Sequence, residues 1–130
     1  MSITPNTPEG ELVMRTLAMP RDTNAIGDIF GGWLVSQMDL GAGIIAKNRA
    51  QSRAVTVAIE KLQFIHPVHV GNLVSCYGKI LRVGKTSMAI RIDAWVTEPD
   101  CGISNLKVAE GLFTFVAIDA QGKSQAVDRG

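Results

Sequence analysis

The sequence predicts an α+β domain in which one long central helix is wrapped by a curved antiparallel sheet of about five strands. Three observations predict this class. A single long stretch has the periodicity of a helix, the stretches after it have the two-residue periodicity of strands, and turn-forming residues separate them. A helix of about 20 residues is about 30 Å long, which is enough to lie along such a sheet.

The chain is long enough for one domain with its own core. Its 130 residues give no sign of a second domain. Residues 1–10 contain two prolines and a glycine among small polar side chains, which predicts a flexible tail and a single domain over residues 11–130. The first strand is predicted from Leu12 to Met19, and a loop from Pro20 to Asn24 follows it.

The long helix is predicted from Phe30 to about Ala50, and Asp28 is a candidate for its N-cap. The apolar positions that fall on one helical face are Phe30, Leu34, Met38, Gly41 and Ile45. Small residues on this helix would let it approach the sheet closely, although each glycine costs about 1 kcal/mol of helix propensity relative to alanine. These small residues are Gly41, Ala42, Gly43 and Ala46.

The spacing of the apolar residues changes after the helix. Alternate positions from Val55 to Ile59 are apolar, and Leu62 and Phe64 then take the opposite parity. This change of phase predicts a strand with a β-bulge near Glu60.

A long antiparallel hairpin is predicted next. Its strands run from about Leu73 to Val83 and from about Met88 to Val96, and Gly84-Lys85 makes the turn between them. The following loop is predicted at Pro99, Gly102 and Asn105. The last strand is predicted at Lys107–Ile118, and the final turn at Asp119–Gly122.

Composition excludes several classes of partner and site. The formal net charge is +1, which leaves no basic field for nucleic acid. No apolar run reaches the roughly 20 residues that span a bilayer, and the N-terminus has no signal-peptide pattern, so we expect a cytoplasmic protein. Cys76 and Cys101 lack ligand spacing, which predicts reduced thiols. His66 and His69 have no evident third ligand nearby, so no metal site is expected.

One carboxylate, Asp39, lies in an otherwise uncharged and largely apolar stretch from Gly31 to Ala46. Burying an unpaired carboxylate is costly unless it finds partners, so an acid in this position indicates a functional site; a helix acid that faces solvent is the alternative. Asp28 precedes the pair Gly31-Gly32 where the helix begins. An N-cap would explain this aspartate without catalysis, and close packing would explain the glycines.

The order β-α-β-β-β-β and the string MPRDTNAIGDIFGGWLVSQMDLGAGIIA resemble the hotdog-fold acyl-CoA thioesterases, and most closely the small bacterial YciA-type acyl-CoA hydrolases. The resemblance continues through VTVAIEKLQFIHPVHVGN, YGKILRVGKTS and LFTFVAID, so it covers about Arg15 to Asp119. It implies a hotdog fold and an enzyme that cleaves acyl-CoA to a free carboxylic acid and CoA. It implies no metal and no organic cofactor.

In that family, an acid or amide before the paired glycines and an acid on the central helix form the catalytic pair. The resemblance carries these roles to Asp28 and Asp39, with Gly31 and Gly32 at the helix start. Phe30 replaces the histidine of the common His-Gly-Gly pattern, which leaves backbone N–H groups as the oxyanion donors. Asp39 would act as general base on water or attack the thioester to form an anhydride, and Asp28 would hold water or substrate.

The predicted coenzyme A contacts lie in the turn of the long hairpin. The turn offers cations, hydroxyl groups and free amides, which suit phosphates or the pantetheine arm. The predicted contacts are Arg82, Gly84, Lys85, Thr86 and Ser87. Asn24 is predicted to lie on the substrate side of the site, although all of these residues are also ordinary turn formers.

Spacing along the helix predicts a shared site. Gly32 and Asp39 are seven residues apart, which is about 10.5 Å along a helix axis. One thioester cannot contact both, so the oxyanion donors and the acid would come from two subunits at a two-fold interface. A homodimer is therefore the predicted minimal unit. The resemblance implies further assembly, either a hexamer built as a trimer of dimers or a tetramer.

Two other functions are possible on this fold. A hydratase or dehydratase would need a histidine-bearing helix motif, which is absent here. A non-catalytic acyl-CoA binding protein or sensor is the main alternative, because a fold alone does not prove turnover. Retention of both Asp28 and Asp39 favours the enzyme. The sequence leaves open the preferred acyl chain length and the choice between the two chemical routes.

Overall fold

A helix of 20 residues packs against one face of a five-stranded antiparallel sheet. The computed structural model describes residues 7–98 and 103–129. Its elements in chain order are β1 (Glu11–Leu17), a 3-10 turn (Pro20–Asp22), α1 (Gly31–Ala50), β2 (Arg53–Phe64), β3 (Leu73–Val83), β4 (Ser87–Glu98) and β5 (Ile103–Ile118). The predicted α+β class and the predicted order of elements are confirmed.

The strand order across the sheet is β1-β3-β4-β5-β2. Each neighbouring pair is antiparallel, and the β3–β4 hairpin lies inside the sheet. The two strands that flank α1 in sequence, β1 and β2, therefore lie at opposite edges. This order makes the connection through α1 cross the whole face of the sheet.

The small residues of α1 bring the helix close to the sheet, as predicted. A Cβ built on Gly41 would lie 2.8 Å from Cγ2 of Val13 on β1, closer than real side chains approach. Ala42 and Ala46 are fully buried. The buried helix face also contains Leu34, Met38, Gly43, Ile45 and Ala50. Phe30, the first residue of the predicted apolar face, is instead 44% exposed.

The face of the sheet under the helix forms the core. On β4 the five residues predicted to face inward are at most 1% exposed. They are Met88, Ile90, Ile92, Ala94 and Val96. On β2 the predicted bulge is confirmed, because the register shifts between Glu60 and Gln63 and Lys61 has a φ of 53°. A non-glycine residue at positive φ is uncommon and marks a local bend of the strand.

The start of α1 differs from the prediction. The N-cap is Phe30, which makes no side-chain capping bond, so the prediction of Asp28 as N-cap is wrong. The physical reason is a closed loop before the helix. The side-chain oxygen of Asn24 accepts hydrogen bonds from the N–H groups of Ile26 and Asp28, at 3.0 and 3.1 Å. Asp28 is held in this loop, two residues before the cap.

Two strand boundaries also differ. β1 ends at Leu17 rather than Met19, because the Asp22 carboxylate accepts the N–H of Met19 at 3.0 Å and begins the 3-10 turn. β5 begins at Ile103, so Asn105 lies in a strand and not in the predicted loop.

Several predictions fall outside the described residues. These are the predictions for residues 1–6 of the flexible tail, for Pro99 and Gly102 of the loop, and for Cys101. Within the described ranges, no helix is long and apolar enough to cross a membrane.

The packing of α1 predicts opposite effects for two neighbouring glycines. We expect Gly43→Ala to be neutral or stabilising, because its Cβ would lie at an ordinary 3.5 Å from the Phe115 ring. Gly41→Ala should be less stable than Gly43→Ala by about 1–3 kcal/mol, because both gain the same helix propensity but only Gly41→Ala forces Val13 to move. Urea denaturation at one protein concentration measures the difference. Equal stability of the two variants would contradict the close-packing argument.

Candidate active site

Asp39 lies in the third turn of α1 and is held by a strand residue. The Oγ1 hydroxyl of Thr56, on β2, donates a hydrogen bond of 2.6 Å to Oδ1 of Asp39. The carboxylate is half-buried, and its Oδ2 has no donor within the described part of the chain. One oxygen is therefore fixed in place while the other can accept a proton or contact a substrate.

Sequence reasoning missed Thr56. Thr56 shares the helix-facing parity of β2 with Ala54 and Ala58, both of which are more buried than their neighbours. A hydroxyl between two alanines on the inner side of a strand was the available signal, since such a group needs a polar partner from the opposing layer. The partner is the one carboxylate of the central part of α1.

The two glycines at the start of α1 leave backbone donors available. Trp33 N–H bonds to the Phe30 carbonyl at 3.1 Å, whereas the N–H groups of Gly31 and Gly32 have no acceptor among the residues that the structure describes. A Cβ on Gly31 would lie 3.0 Å from the Phe64 ring, and one on Gly32 would lie 3.2 Å from the Phe30 ring. Glycine thus lets two aromatic rings flank a pair of free helix N-terminal donors, which suit a developing negative charge.

A groove of about 380 Å³ lies beside the helix start. Its walls are mainly apolar and include Ile29, Phe30, Leu34, Phe64 and Val68. A groove of this kind next to free N–H donors can hold an apolar chain whose carbonyl group faces the donors.

Asn24 and Asp28 lie in the loop before the helix start. The side-chain oxygen of Asn24 is used twice within this loop, but its amide NH₂ group has no acceptor in the described part of the chain. Asp28 is exposed, and its carboxylate has no partner among the same residues. Asp28 lies before the helix start, whereas Asp39 lies eight residues after Gly31, about 12 Å along the helix axis. One chain does not bring these two acids together.

The predicted hairpin turn is formed, with Gly84 N–H bonded to the Ser87 carbonyl at 2.8 Å, and its role in binding coenzyme A stays a prediction. The side chains of Arg82 and Lys85 are exposed. A Cβ on Gly84 would lie 2.9 Å from Oγ of Ser87, which explains the glycine at this tight point.

The turn and the helix start lie at opposite ends of α1. Phe64, the last residue of β2, contacts Gly31. At the other end, the Thr86 carbonyl accepts the N–H of Ala117 at 2.9 Å, and the next residue of β5 pairs with Arg53, just beyond the helix. The helix has 20 residues and is about 30 Å long. The predicted residues at the helix start and those in the hairpin turn therefore form two separate groups within one chain.

Exposed apolar side chains lie on α1 near Asp39 and on β2, the strand that contains Thr56. We define this interface strip as Leu40 and Ile44 of α1 together with Val55, Val57 and Ile59 of β2, all of which are 40–59% exposed. β2 is also an edge strand, so one side of its backbone is unpaired within the sheet. Because Thr56 faces the helix, Val55, Val57 and Ile59 point to the opposite face of the sheet. Exposed apolar side chains on both sides of an open strand edge are typical of surfaces through which chains associate.

Other cavities and titratable groups lie away from these residues. A second cavity, of about 610 Å³, is lined by Tyr77, Arg91, Asp93, Trp95 and Lys107 among others, and contains none of the predicted site residues. Burial raises the pKa of the Cys76 thiol to about 12, which makes it unreactive. No group of three His, Cys, Asp or Glu residues in the described ranges could hold a metal ion.

Comparison with known proteins assigns the family. A family model described as the thioesterase superfamily matches residues 26–103, a range that contains Asp39, both helix-start glycines and the hairpin turn. The chain belongs to the thioesterase superfamily. This superfamily member is 52% identical over 131 residues to the acyl-CoA thioester hydrolase YciA of Escherichia coli strain K12, covering 98% of each chain. The predicted resemblance to YciA-type hydrolases is confirmed.

Solved structures of other thioesterases confirm the hotdog fold. The hexameric hotdog fold thioesterase of Campylobacter jejuni superposes with a TM-score of 0.87 at 36% identity, covering 92% of this chain and 91% of that one. The acyl-CoA hydrolase of Staphylococcus aureus, solved with butyryl coenzyme A and coenzyme A, has a TM-score of 0.79 at 26% identity, covering 87% of this chain and 68% of that one.

Variants of the S. aureus hydrolase bear on the loop residues. Its solved variants include an asparagine-to-alanine and an aspartate-to-alanine substitution. These two positions are separated by the same number of residues as Asn24 and Asp39 in this thioesterase.

The contact between Thr56 and Asp39 predicts a loss of thioesterase activity when the donor is removed. We expect Thr56→Val to lower kcat by about 10- to 100-fold, because a hydrogen bond to a charged group contributes about 1.5–3 kcal/mol. Thr56→Ser keeps the hydroxyl and should retain most of the activity. Steady-state hydrolysis of a thioester measures both. If the two variants have equal activity, the hydroxyl does not position Asp39.

Proposed function

We propose that this enzyme hydrolyses acyl-CoA thioesters to a free carboxylic acid and CoA, with Asp39 as the acid that acts on the thioester. The observation that carries the proposal is the carboxylate of Asp39, fixed through one oxygen by Thr56, with its other oxygen free of donors in the described residues. The likeness to acyl-CoA thioester hydrolases supports the substrate class.

The free oxygen of Asp39 has two routes open to it. As a general base it takes a proton from water, the resulting hydroxide adds to the thioester carbonyl carbon, and the carbon–sulfur bond breaks with return of the proton to the departing CoA sulfur. As a nucleophile it adds to the same carbon, the carbon–sulfur bond breaks, and CoA departs as a thiolate while an anhydride forms. Water then cleaves the anhydride to the carboxylic acid and the Asp39 carboxylate, and the thiolate takes the released proton. Both routes place negative charge on the carbonyl oxygen.

The N–H groups of Gly31 and Gly32 are the proposed oxyanion donors. They lack acceptors in the described part of the chain and lie at the positive end of the helix dipole. A carbonyl oxygen that gains charge would find two donors there, while its acyl chain would follow the apolar groove beside Phe64. No side-chain donor is needed at Phe30.

The proposed site is shared between two subunits. Within one chain, Gly32 and Asp39 are separated by about 10.5 Å of helix, so a single thioester cannot contact both. The interface strip includes Leu40 and Ile44, which lie on the same helix as Asp39, and is the surface proposed to meet a second copy of this chain. The two-fold arrangement gives two equivalent sites, each with the acid from one subunit and the oxyanion donors from the other.

The subunit that supplies Asp39 is proposed to supply the coenzyme A turn as well. Asp39 lies 11 residues before Ala50, and the turn lies at that end of the helix. Asp39 is therefore about 16 Å from this end of the helix, a distance that an extended pantetheine arm can span. The phosphates would then meet Arg82 and Lys85, both of which are exposed.

We propose the homodimer as the minimal unit and a hexamer, a trimer of dimers, as the full assembly. The hexameric assembly of the C. jejuni thioesterase supports this choice over a tetramer. A cytoplasmic location and independence from any cofactor remain predictions from the sequence.

Two residues are candidates for the group that holds the substrate or water. The sequence-based hypothesis assigns this role to Asp28. The structure also supports Asn24, whose free amide group can donate to a carbonyl oxygen while its oxygen holds the loop. The matching spacing of the two substituted residues in the S. aureus hydrolase favours Asn24.

The function is tested by thiol release from a series of acyl-CoAs of increasing chain length, with wild type and Asp39→Asn in parallel. We expect hydrolysis by wild type and a loss of about 10²- to 10⁴-fold in the variant, the size usual for a missing acid–base group. Size-exclusion chromatography checks that the assembly is unchanged. Tight binding of acyl-CoA without turnover by wild type would indicate the non-catalytic alternative, and equal rates would show that Asp39 is the wrong acid.

A mixing experiment tests the shared site. Asp39→Asn and a Gly32→Pro variant, which lacks the N–H donor, should each be inactive alone. After subunit exchange, heterodimers should recover activity, because one of their two sites contains both an intact acid and intact donors. Mass spectrometry of differently tagged chains confirms the exchange. Absence of activity in confirmed heterodimers would contradict a shared site.

Asn24 and Asp28 are separated by one pair of variants. If Asn24 holds the substrate, Asn24→Asp should lower kcat by about tenfold or more while keeping the loop, because an aspartate oxygen can still accept both backbone N–H groups. Asp28→Asn, an equally conservative change, should then remain within about twofold of wild type. The reverse ranking would support the original assignment of Asp28.

A further inference from the structure

The chain after β5 ties the hairpin turn to the end of the helix. We define this C-terminal strap as Gln125–Arg129. At its first residue, the N–H of Gln125 donates to the Ala117 carbonyl at 2.9 Å. Two residues later, the N–H of Val127 donates to the Lys85 carbonyl at 2.8 Å, and the Val127 side chain is buried. The strap therefore contacts both β5 and the turn that is proposed to bind coenzyme A.

The far end of the strap is anchored to the C-terminus of α1. The Nη2 of Arg129 donates to the carbonyl oxygens of Ala50 and Gln51, at 2.7 and 3.2 Å. Arg49 and Asp128 form a second contact with two nitrogen–oxygen distances, 2.8 and 3.3 Å. A cation at the end of a helix satisfies free carbonyls and complements the helix dipole. These bonds hold the strap against the helix that contains Asp39.

The strap fixes which way one peptide unit of the turn faces. In a planar trans peptide, the carbonyl and the following N–H point in opposite directions. Because the Lys85 carbonyl points at Val127, the N–H of Thr86 points away from the strap. This N–H has no acceptor within the described ranges. It is a free donor at the tip of the turn, next to the exposed side chain of Lys85.

We propose that the C-terminal strap is a positioning device for the coenzyme A turn. It sets the orientation of the Lys85–Thr86 peptide, so that the Thr86 N–H and the Lys85 ammonium face one anionic group, a phosphate of the substrate. The inference rests on the proposed function. In it, Val127 and Arg129 are positioning residues, which act on binding through the turn and contact neither the thioester nor the phosphate.

The test compares two substrates that share the thioester. An acyl-CoA has the phosphates, and the matching S-acyl-N-acetylcysteamine lacks the nucleotide. Val127→Pro removes the N–H that holds the Lys85 carbonyl. We expect it to raise KM for acyl-CoA by about fivefold, the effect of one lost hydrogen bond, with kcat nearly unchanged. KM for the N-acetylcysteamine thioester should not change. Val127→Ala, which keeps the N–H, is the matched control and should leave the KM ratio of the two substrates as in wild type.

A second variant keeps the test decisive if the proline variant does not fold. Arg129→Gln removes the bonds to the helix end and leaves the turn itself intact. It should raise KM for acyl-CoA in the same direction and leave the short thioester unaffected. Equal increases for both substrates, or a fall in kcat alone, would show a general structural role and overturn the proposal. No change in either constant would also overturn it.

Failure of this inference is distinguishable from failure of the proposed function. If wild type hydrolyses neither substrate, the proposed function is wrong. If wild type hydrolyses both and KM for acyl-CoA is insensitive to Val127→Pro and Arg129→Gln, the enzyme assignment stands and the positioning role of the strap is wrong.

Discussion

The close approach of α1 to the sheet is the constraint on which the other features depend. Gly41 lies against Val13, with no room for a Cβ, and Ala42 and Ala46 are fully buried beside it. At this distance a short side chain on β2 can reach the helix, so the Thr56 hydroxyl bonds to Asp39 at 2.6 Å. A helix lined with larger residues would lie further out, and a threonine would be too short to bridge the layers. The same small residues of α1 therefore determine both how the helix packs and how Asp39 is positioned.

The same helix separates the parts of the proposed site. The free N–H groups of Gly31 and Gly32 lie at its start, Asp39 lies near its middle, and the hairpin turn lies beyond its end. A rigid helix cannot bring these groups to one carbonyl. In the proposed dimer, assembly through the interface strip supplies the missing half of each site, and the strap connects the end of that helix to the turn. In this arrangement the position of each group on α1 determines which subunit contributes it.

Sequence patterns predicted the features that depend on local spacing. The helix, the inward face of β4 and the bulge near Glu60 were predictable because each follows from periodicity over a few residues. The N-cap was not, because the side chain of Asn24 closes a loop that holds Asp28 outside the helix. Thr56 was missed because its contact joins residues 17 positions apart and depends on the distance between two layers. The strap contacts likewise depend on where β5 ends in the folded structure, which no local pattern predicts.

The outer edge of β2 also has a consequence for how the chain must fold. Residues 54–59 read AVTVAI, an uncharged run of strand-forming residues without proline, on a strand whose other edge is open. Segments of this composition are the ones that stack into cross-β assemblies when they stay exposed. Arg53 and Glu60 place a charge at each end of the run, in the positions of residues that limit such stacking. In the proposed dimer this edge is covered, so the single folded chain is the species most exposed to aggregation, and the supply of partner chains sets how long that exposure lasts.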